Sequence, residues 1–176
     1  MNTTQVTLQL VTREQEKPLA NLLELYLHDM SETLPIRISE EGHFGYAWLP
    51  TYWAEPDRRF PYLIRSESGI SGFALVTIGS TVSDDPEALE VAEFFVLRRL
   101  RRSGVGRAAV QQLWTERPGH WVVRVSEGNP GGHAFWSKVV RDYTHGSFGE
   151  QRTPGRHYPW RVYEFDSSRL APPPSP

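Results

Sequence analysis

The sequence predicts a single α/β domain built on a mixed, mostly antiparallel sheet flanked by helices. Its 176 residues, 39% of them hydrophobic, suffice to bury one core. Apolar residues recur with a period of two in predicted strands and with a period of 3.6 in predicted helices. These patterns give the element order β-α-(loop)-β-β-β-α-β-α-β-β. The three consecutive strands have short links, which is typical of an antiparallel meander. We expect the domain to span residues 1–168 and a proline-rich, disordered tail to span 169–176.

The first third of the chain predicts one strand, one helix and a long irregular segment. Residues 5–11 alternate as a strand does, and apolar residues recur at helical spacing from Leu19 to Met30. Thr12 and Gln15 fit a capping box at the start of that helix. From Asp29 to Pro61 there is no clean period, so we expect a loop with one or two short helical turns.

The remaining two thirds alternate between strands and helices. Asn129 followed by Pro130 predicts a helix start, because asparagine caps free amides and proline suits the first helical position. Strands are predicted over 62–65, 72–78, 91–97, 121–125, 143–148 and 160–165, and helices over 104–117 and 129–141.

Composition excludes several classes of function. The chain has no cysteine, so disulfides, thiolate metal sites and a cysteine nucleophile are excluded. Its six histidines show no ligand spacing, which predicts no metal site. The net charge of −2 argues against a surface that binds nucleic acid or an anionic membrane.

The beginning of the sequence carries no export signal. It lacks a basic flank and an unbroken apolar core, and no later run approaches the length of a membrane span. We therefore expect a cytoplasmic protein with neither a membrane nor a nucleic acid as partner.

The chemistry is concentrated between Glu93 and Arg107. An apolar strand runs into five arginines within ten residues, and Gly104 and Gly106 then open a helix. Amides at a helix N-terminus have unpaired hydrogens that favour an anion, and arginines add charge-assisted hydrogen bonds. The pattern predicts a site for a phosphate-bearing ligand.

A dinucleotide is one alternative ligand. Gly104, Gly106 and Ala109 fit the dinucleotide fingerprint, and Glu127 supplies an acid about twenty residues further on. Six residues, 98–103, nevertheless separate the strand from the first glycine, and the preceding meander is not a series of βαβ units. An NAD-dependent enzyme is therefore the lesser alternative.

Two motifs carry a resemblance to a known family. Residues 101–106, Arg-Arg-Ser-Gly-Val-Gly, resemble the cofactor signature Gln/Arg-x-x-Gly-x-Gly/Ala of the GCN5-related N-acetyltransferases (GNAT). A second family motif, an asparagine that starts the next helix followed by alanine and an aromatic pair, is present as Asn129, Ala134, Phe135 and Trp136. The resemblance covers roughly residues 5–166. It implies a GNAT-type sheet of six to seven strands, splayed between strands four and five, with acetyl-CoA in that cleft.

The resemblance also implies roles for individual residues. Phe95, Val96 and Leu97 would offer backbone groups to the pantetheine arm, and the Val96 amide would hold the thioester oxygen. Asn129 would lie near the pantetheine. Phe135 and Trp136 complete the cofactor site, with Trp136 near the thioester. The diphosphate would be wrapped by Arg101, Arg102, Ser103, Gly104, Val105, Gly106 and Arg107. The family commonly has, in place of Trp136, a tyrosine that is thought to protonate the leaving thiolate; indole cannot do so, which leaves the general acid unassigned.

The acceptor and the general base complete the prediction. Tyr26 and Asp29 lie where this family often shapes the acceptor site. Tyr46 and Trp53 belong to an aromatic-rich segment, 43–62, that either lines an acceptor pocket or covers one face of the sheet. Glu93 is the candidate base, although strand alternation places it opposite to Val96 and contact requires a bulge.

These inferences predict an N-acetyltransferase. It would transfer an acetyl group from acetyl-CoA to a small-molecule or peptide amine by direct attack in a ternary complex. A non-catalytic acyl-CoA-binding or interaction module is the alternative, and a homodimer stays open.

Overall fold

The computed structural model describes residues 5–169, and the predicted tail lies outside them except for Arg169. Seven strands form one sheet within these residues, in the order β1-β2-β3-β4-β5-β7-β6. The strands are β1 (Val6–Leu10), β2 (Arg59–Ser66), β3 (Gly69–Ile78), β4 (Leu89–Val96), β5 (His120–Ser126), β6 (Gly149–Thr153) and β7 (Trp160–Asp166). The predicted mixed, mostly antiparallel α/β sheet is confirmed.

The sheet opens between β4 and β5. Strands β1 to β4 form an antiparallel meander, and β4 is parallel to β5. The parallel pairing covers only three residue pairs, from Leu89 with Trp121 to Val91 with Val123. Beyond Val91 the two strands separate, which creates a gap on the C-terminal side of both.

Four α-helices cover the two faces of this sheet within residues 5–169: α1 (Glu16–Met30), α2 (Thr51–Ala54), α3 (Val105–Glu116) and α4 (Pro130–Thr144). Helix α1 buries Leu19, Leu22 and Leu23 against one face, where α2 adds Tyr52. Helices α3 and α4 pack on the opposite face through a core that includes Trp114 and Trp136. None of these helices has the length and apolar character needed to cross a lipid bilayer.

Two local predictions are wrong. Residues 143–148 form no strand, because α4 continues to Thr144 and its aromatic residue Tyr143 packs on Trp114 at a ring distance of 4.8 Å. A left-handed His145 then ends the helix. The capping box is also absent: Thr12 makes no side-chain cap, and the Gln15 side chain instead accepts a hydrogen bond from Gln9.

Gly72 is needed where β3 passes β4. A Cβ atom at this position would lie 2.0 Å from the backbone oxygen of Phe95. We expect Gly72→Ala to lower the free energy of unfolding by about 3 kcal/mol, because backbone atoms rather than a flexible side chain must move. Urea denaturation measures this change.

Gly149→Ala is the matched control for that experiment. A Cβ atom at Gly149 would make an ordinary contact, 3.8 Å from the Glu164 oxygen. Its effect should stay below about 1 kcal/mol. Equal stability losses in the two variants would contradict the close approach of β3 and β4.

Candidate active site

A cavity of about 700 Å³ occupies the opening in the sheet, between β4, the C-terminal end of α1, the loop before α3, and α4. The structure brings most of the predicted site residues together on its walls. Those lining it are Tyr26, Asp29, Phe95, Val96, Arg101, Arg102, Gly104, Gly106, Arg107, Asn129, Phe135 and Trp136. Met30, Glu32 and Thr33, which the sequence did not single out, line it as well.

One end of the cavity is built to hold an anion. Arg102 and Gly104 both adopt left-handed backbone conformations, with φ of 64° and 93°, and this curls the loop into the start of α3. The first amides of α3 have no acceptor inside the helix, and glycine at the N-cap supplies no side chain to cap them. Arg102 and Arg107 line the same end. Unpaired amides and two cations together favour a diphosphate.

Gly106 brings the first turn of α3 close to its neighbours. A Cβ atom there would lie 3.3 Å from the Phe135 ring and 3.5 Å from Val96. Glycine at this position therefore keeps β4, α3 and α4 together around the cavity.

Three predicted cofactor residues, Leu97, Ser103 and Val105, lie outside the cavity wall. Val105 is buried, 2% exposed, in a core cluster with Ile64 and Ala109. The Ser103 hydroxyl donates to the Leu100 carbonyl at 2.6 Å and shapes the loop.

Arg101 and Asp29 form a brace across the mouth of the cleft. The Arg101 Nε donates to the Val96 carbonyl at 2.9 Å, and its guanidinium pairs with Asp29 and lies over the Phe95 ring. Arg98 also binds Asp29, at 2.7 Å. Although burial opposes ionisation, the hydrogen bonds from Arg98 and Arg101 hold the pKa of Asp29 below its usual value. Both side chains line the cavity and pair with each other there, and their predicted contacts with ligands stay predictions.

The backbone amide of Val96, at the end of β4, faces the gap between β4 and β5. The Leu97 amide donates to the Ser71 carbonyl at 2.9 Å, and Phe95 is paired with Phe73. Because antiparallel pairs alternate, the backbone groups of Phe95 and the amide of Leu97 face β3, whereas the Val96 amide faces the gap. The Leu97 carbonyl accepts from the Leu100 amide at 2.8 Å. The predicted backbone contacts of Phe95 and Leu97 with a ligand therefore do not fit this geometry.

Glu93 lies beneath the cleft, on the α1 face of β4. The register shifts by one residue at Ala92, since Val76 pairs with Val91 and Leu75 with Glu93. This bulge places Glu93 on the face opposite to Val91. Contact between Glu93 and Val96 requires a bulge between them, but the observed bulge precedes Glu93 and leaves the two side chains on opposite faces.

Two tyrosine hydroxyls hold the Glu93 carboxylate. Tyr26 donates to Oε2, and Tyr46 donates to Oε1 at 3.0 Å. Burial raises the pKa of Glu93, and these two hydrogen bonds partly oppose the rise. A carboxylate with a raised pKa next to a cavity is typical of a general base.

Two predicted acceptor residues lie away from the cavity wall. Tyr46 reaches Glu93 but does not line the cavity. The Trp53 indole donates to the Val11 carbonyl at 3.0 Å, which fastens α2 to the end of β1. The placement of Trp53 agrees with the alternative in which the aromatic segment covers a face of the sheet.

Trp136 and Phe135 form an aromatic wall opposite to the loop. Phe135 stacks on Phe94 with ring centroids 5.7 Å apart, and Trp136 packs edge-on against the same ring at 5.2 Å. Asn129 starts the helix as predicted, since its side chain accepts from the Gly132 amide at 2.9 Å.

Across residues 5–169 no group of three or more histidine or acidic side chains is placed to hold a metal ion. The absence of a metal from the working protein stays a prediction.

Comparisons with known proteins define the class of fold. No family model and no curated protein matches the sequence. Solved structures do match: a spermidine N-acetyltransferase from Vibrio cholerae in complex with CoA and spermine has a TM-score of 0.64 at 12% identity, over 94% of this chain and 97% of that one. The aminoglycoside acetyltransferase AAC(6')-Ib in complex with coenzyme A has a TM-score of 0.63 at 18% identity, over 92% and 95%. An N-acetyltransferase from Staphylococcus aureus Mu50 has a TM-score of 0.62 at 14% identity, over 93% and 99%.

The chain has the GNAT acetyltransferase fold. The resemblance to this family, which the motifs at Arg101–Gly106 and Asn129 carry, is thus confirmed at the level of the fold. The dinucleotide alternative does not fit, because β1 to β4 run antiparallel and build no βαβ unit before Gly104.

Proposed function

We propose that this protein is an acetyl-CoA-dependent N-acetyltransferase that acts on a small-molecule amine. The observation that carries the proposal is the cavity at the opening between β4 and β5, which ends at the amides of α3 and the side chains of Arg102 and Arg107. A thioester cofactor with a diphosphate at one end matches this arrangement.

The cofactor would lie along the opening. Its diphosphate would accept hydrogen bonds from the first amides of α3 and from Arg102 and Arg107. Its thioester oxygen would accept from the Val96 amide, and charge that develops on this oxygen during attack would be stabilised there. Trp136 and Phe135 would cover the acyl end and limit the access of water.

The reaction would proceed by direct attack in a ternary complex. The amine nitrogen forms a bond to the acetyl carbon, the carbon–sulfur bond breaks, and CoA leaves as a thiolate. The protonated amine first gives one proton to Glu93, and the second proton, which the nitrogen loses as the carbon–sulfur bond breaks, passes to solvent. A thiol is ordinarily half ionised near pH ~8.5, so the thiolate can leave although Trp136 cannot protonate it.

The acceptor class is supported by structural likeness. One similar structure contains spermine, and another belongs to an enzyme that acetylates aminoglycosides. Polyamines and aminoglycosides are therefore the first acceptors to test.

The function is tested by following CoA release from acetyl-CoA, with and without a panel of spermine, spermidine and an aminoglycoside. We expect release that depends on an amine, together with one added acetyl group on that amine. Binding of acetyl-CoA without any transfer would overturn the proposal. It would favour the non-catalytic acyl-CoA-binding module, for which the absence of a tyrosine at Trp136 is the supporting observation.

Direct transfer also predicts that no acetyl-enzyme accumulates. The chain has no cysteine, and attack by the amine leaves no role for a protein nucleophile. The intact mass after incubation with acetyl-CoA alone should stay unchanged. A stoichiometric gain of one acetyl group that an amine then removes would contradict the ternary mechanism.

A further inference from the structure

We propose that the hydroxyl of Tyr26 passes the acceptor's proton to Glu93, so that Tyr26 is a catalytic residue and Tyr46 a positioning residue. This inference rests on the proposed acetyl transfer and deepens it, because it names the route by which a half-buried base outside the cavity wall serves the cleft.

The route follows from which side chains reach the cavity. Tyr26 lines the cavity, whereas Glu93 and Tyr46 do not. The Tyr26 hydroxyl donates directly to Glu93 Oε2. Tyr26 therefore stands between the carboxylate and the space that the acceptor would occupy.

The second carboxylate oxygen is held from the opposite side. Tyr46, from the loop after α1, donates to Glu93 Oε1 at 3.0 Å. With both oxygens accepting from tyrosines, the described contacts leave the Tyr26 hydroxyl as the link from Glu93 to the cleft. Tyr46 makes the second of these two hydrogen bonds but does not face the cavity. Tyr46 can therefore hold the carboxylate in place, whereas only Tyr26 can also pass it a proton from the cavity.

Tyr26 is fixed in place by the core. Its ring packs edge-on against Phe73 at 5.7 Å and against Phe95 at 6.2 Å. Phe95 also lines the cavity. A relay needs such fixed geometry, because the hydroxyl has to meet a proton on one side and an acceptor on the other.

Tyr26 and Glu93 together account for the proton that the amine gives up. The amine's proton moves to the Tyr26 oxygen as the Tyr26 proton moves to Glu93 Oε2, so tyrosine returns to its neutral form and the carboxylate becomes a carboxylic acid. Burial and the negative charge of Glu93 raise the pKa of Tyr26, which keeps a stable tyrosinate from forming. Other groups that act on Glu93 are Tyr52 from α2, Glu90 from β4 and Arg124 from β5.

The test compares Tyr26→Phe with Tyr46→Phe, using the best acceptor of the panel and following kcat against pH. Each variant removes one hydrogen bond that lowers the pKa of Glu93, so each should move the acidic limb of the profile to higher pH. At the alkaline plateau of the profile, the kcat of Tyr46→Phe should be within about threefold of the parent's kcat. Tyr26→Phe should stay about 10²-fold or more below it, because its transfer step has lost the relay.

Acetyl-CoA affinity by calorimetry and urea unfolding show whether both variants stay folded. Equal plateau rates in the two variants, or a Tyr26→Phe plateau like that of the parent, would overturn the relay while the parent's activity leaves acetyl transfer standing. An inactive parent that binds acetyl-CoA would overturn the proposed function and the relay with it.

Discussion

Replacing Glu93 by glutamine is expected to lower kcat by about 10²- to 10⁴-fold, with little change in acetyl-CoA affinity. An amine is mostly protonated near neutral pH and cannot attack until that proton is taken. The Glu93 carboxylate accepts from Tyr26 and Tyr46 and does not line the cavity. The substitution therefore removes a base without removing a cofactor contact.

The dependence of kcat on pH should show whether Glu93 acts as the base. Burial raises the pKa of Glu93, and a base acts only when ionised, so the parent's kcat should fall as pH falls through that raised pKa. The glutamine variant should lose this acidic limb. An unchanged limb and a rate within a few fold of the parent would make Glu93 a structural residue.

The free energy of unfolding of Glu93→Gln shows whether a lower kcat reflects lost chemistry or lost folding. An acid whose pKa is raised on folding contributes stability below its unfolded pKa, and that contribution is lost as pH rises through the folded value. Once ionised, Glu93 therefore carries a desolvation cost that glutamine does not carry. The free energy of unfolding of Glu93→Gln should be at least that of the parent, which urea denaturation at pH 7 measures.

Replacing Arg102 or Arg107 by alanine is expected to weaken acetyl-CoA binding by about ten- to a hundredfold. A hydrogen bond to a charged group contributes about 1.5 to 3 kcal/mol, and each 1.4 kcal/mol is a factor of ten in affinity. Both arginines line the anion end of the cavity beside the first amides of α3. Calorimetry at moderate salt measures the loss.

Arg99→Ala is the matched control for charge. Arg99 lies on the same loop and is exposed, but it does not line the cavity. Its replacement removes the same charge and should change affinity by less than about threefold. Similar losses in all three variants would indicate a general electrostatic effect and contradict a defined diphosphate site.

Local sequence signals predicted the loop and the two helix starts at the proposed diphosphate end of the cavity. Arg102, Gly104 and Gly106 follow one another in a short motif, and Asn129 with Pro130 marks the next helix within two residues. Such features depend on backbone conformation and capping, which neighbouring residues determine. The loop curls into the start of α3 and Asn129 caps α4, as these signals predicted, and the binding roles of these residues stay predictions.

The proposed catalytic end of the cavity depends on contacts between residues that are distant in sequence. Tyr26 and Glu93 are 67 positions apart, Tyr46 and Glu93 are 47 apart, and Arg101 and Asp29 are 72 apart. No short pattern encodes such pairs. The bulge at Ala92 is equally hidden, because alternation in β4 predicts faces only while the register is unbroken.

A structure of the protein with acetyl-CoA bound tests the central claim most directly. We expect the diphosphate at the first amides of α3 with Arg102 and Arg107 beside it, and the thioester oxygen about 3 Å from the Val96 amide. A cofactor bound elsewhere, or a thioester turned away from Val96 and Tyr26, would contradict the assignment of the opening between β4 and β5 as the active site.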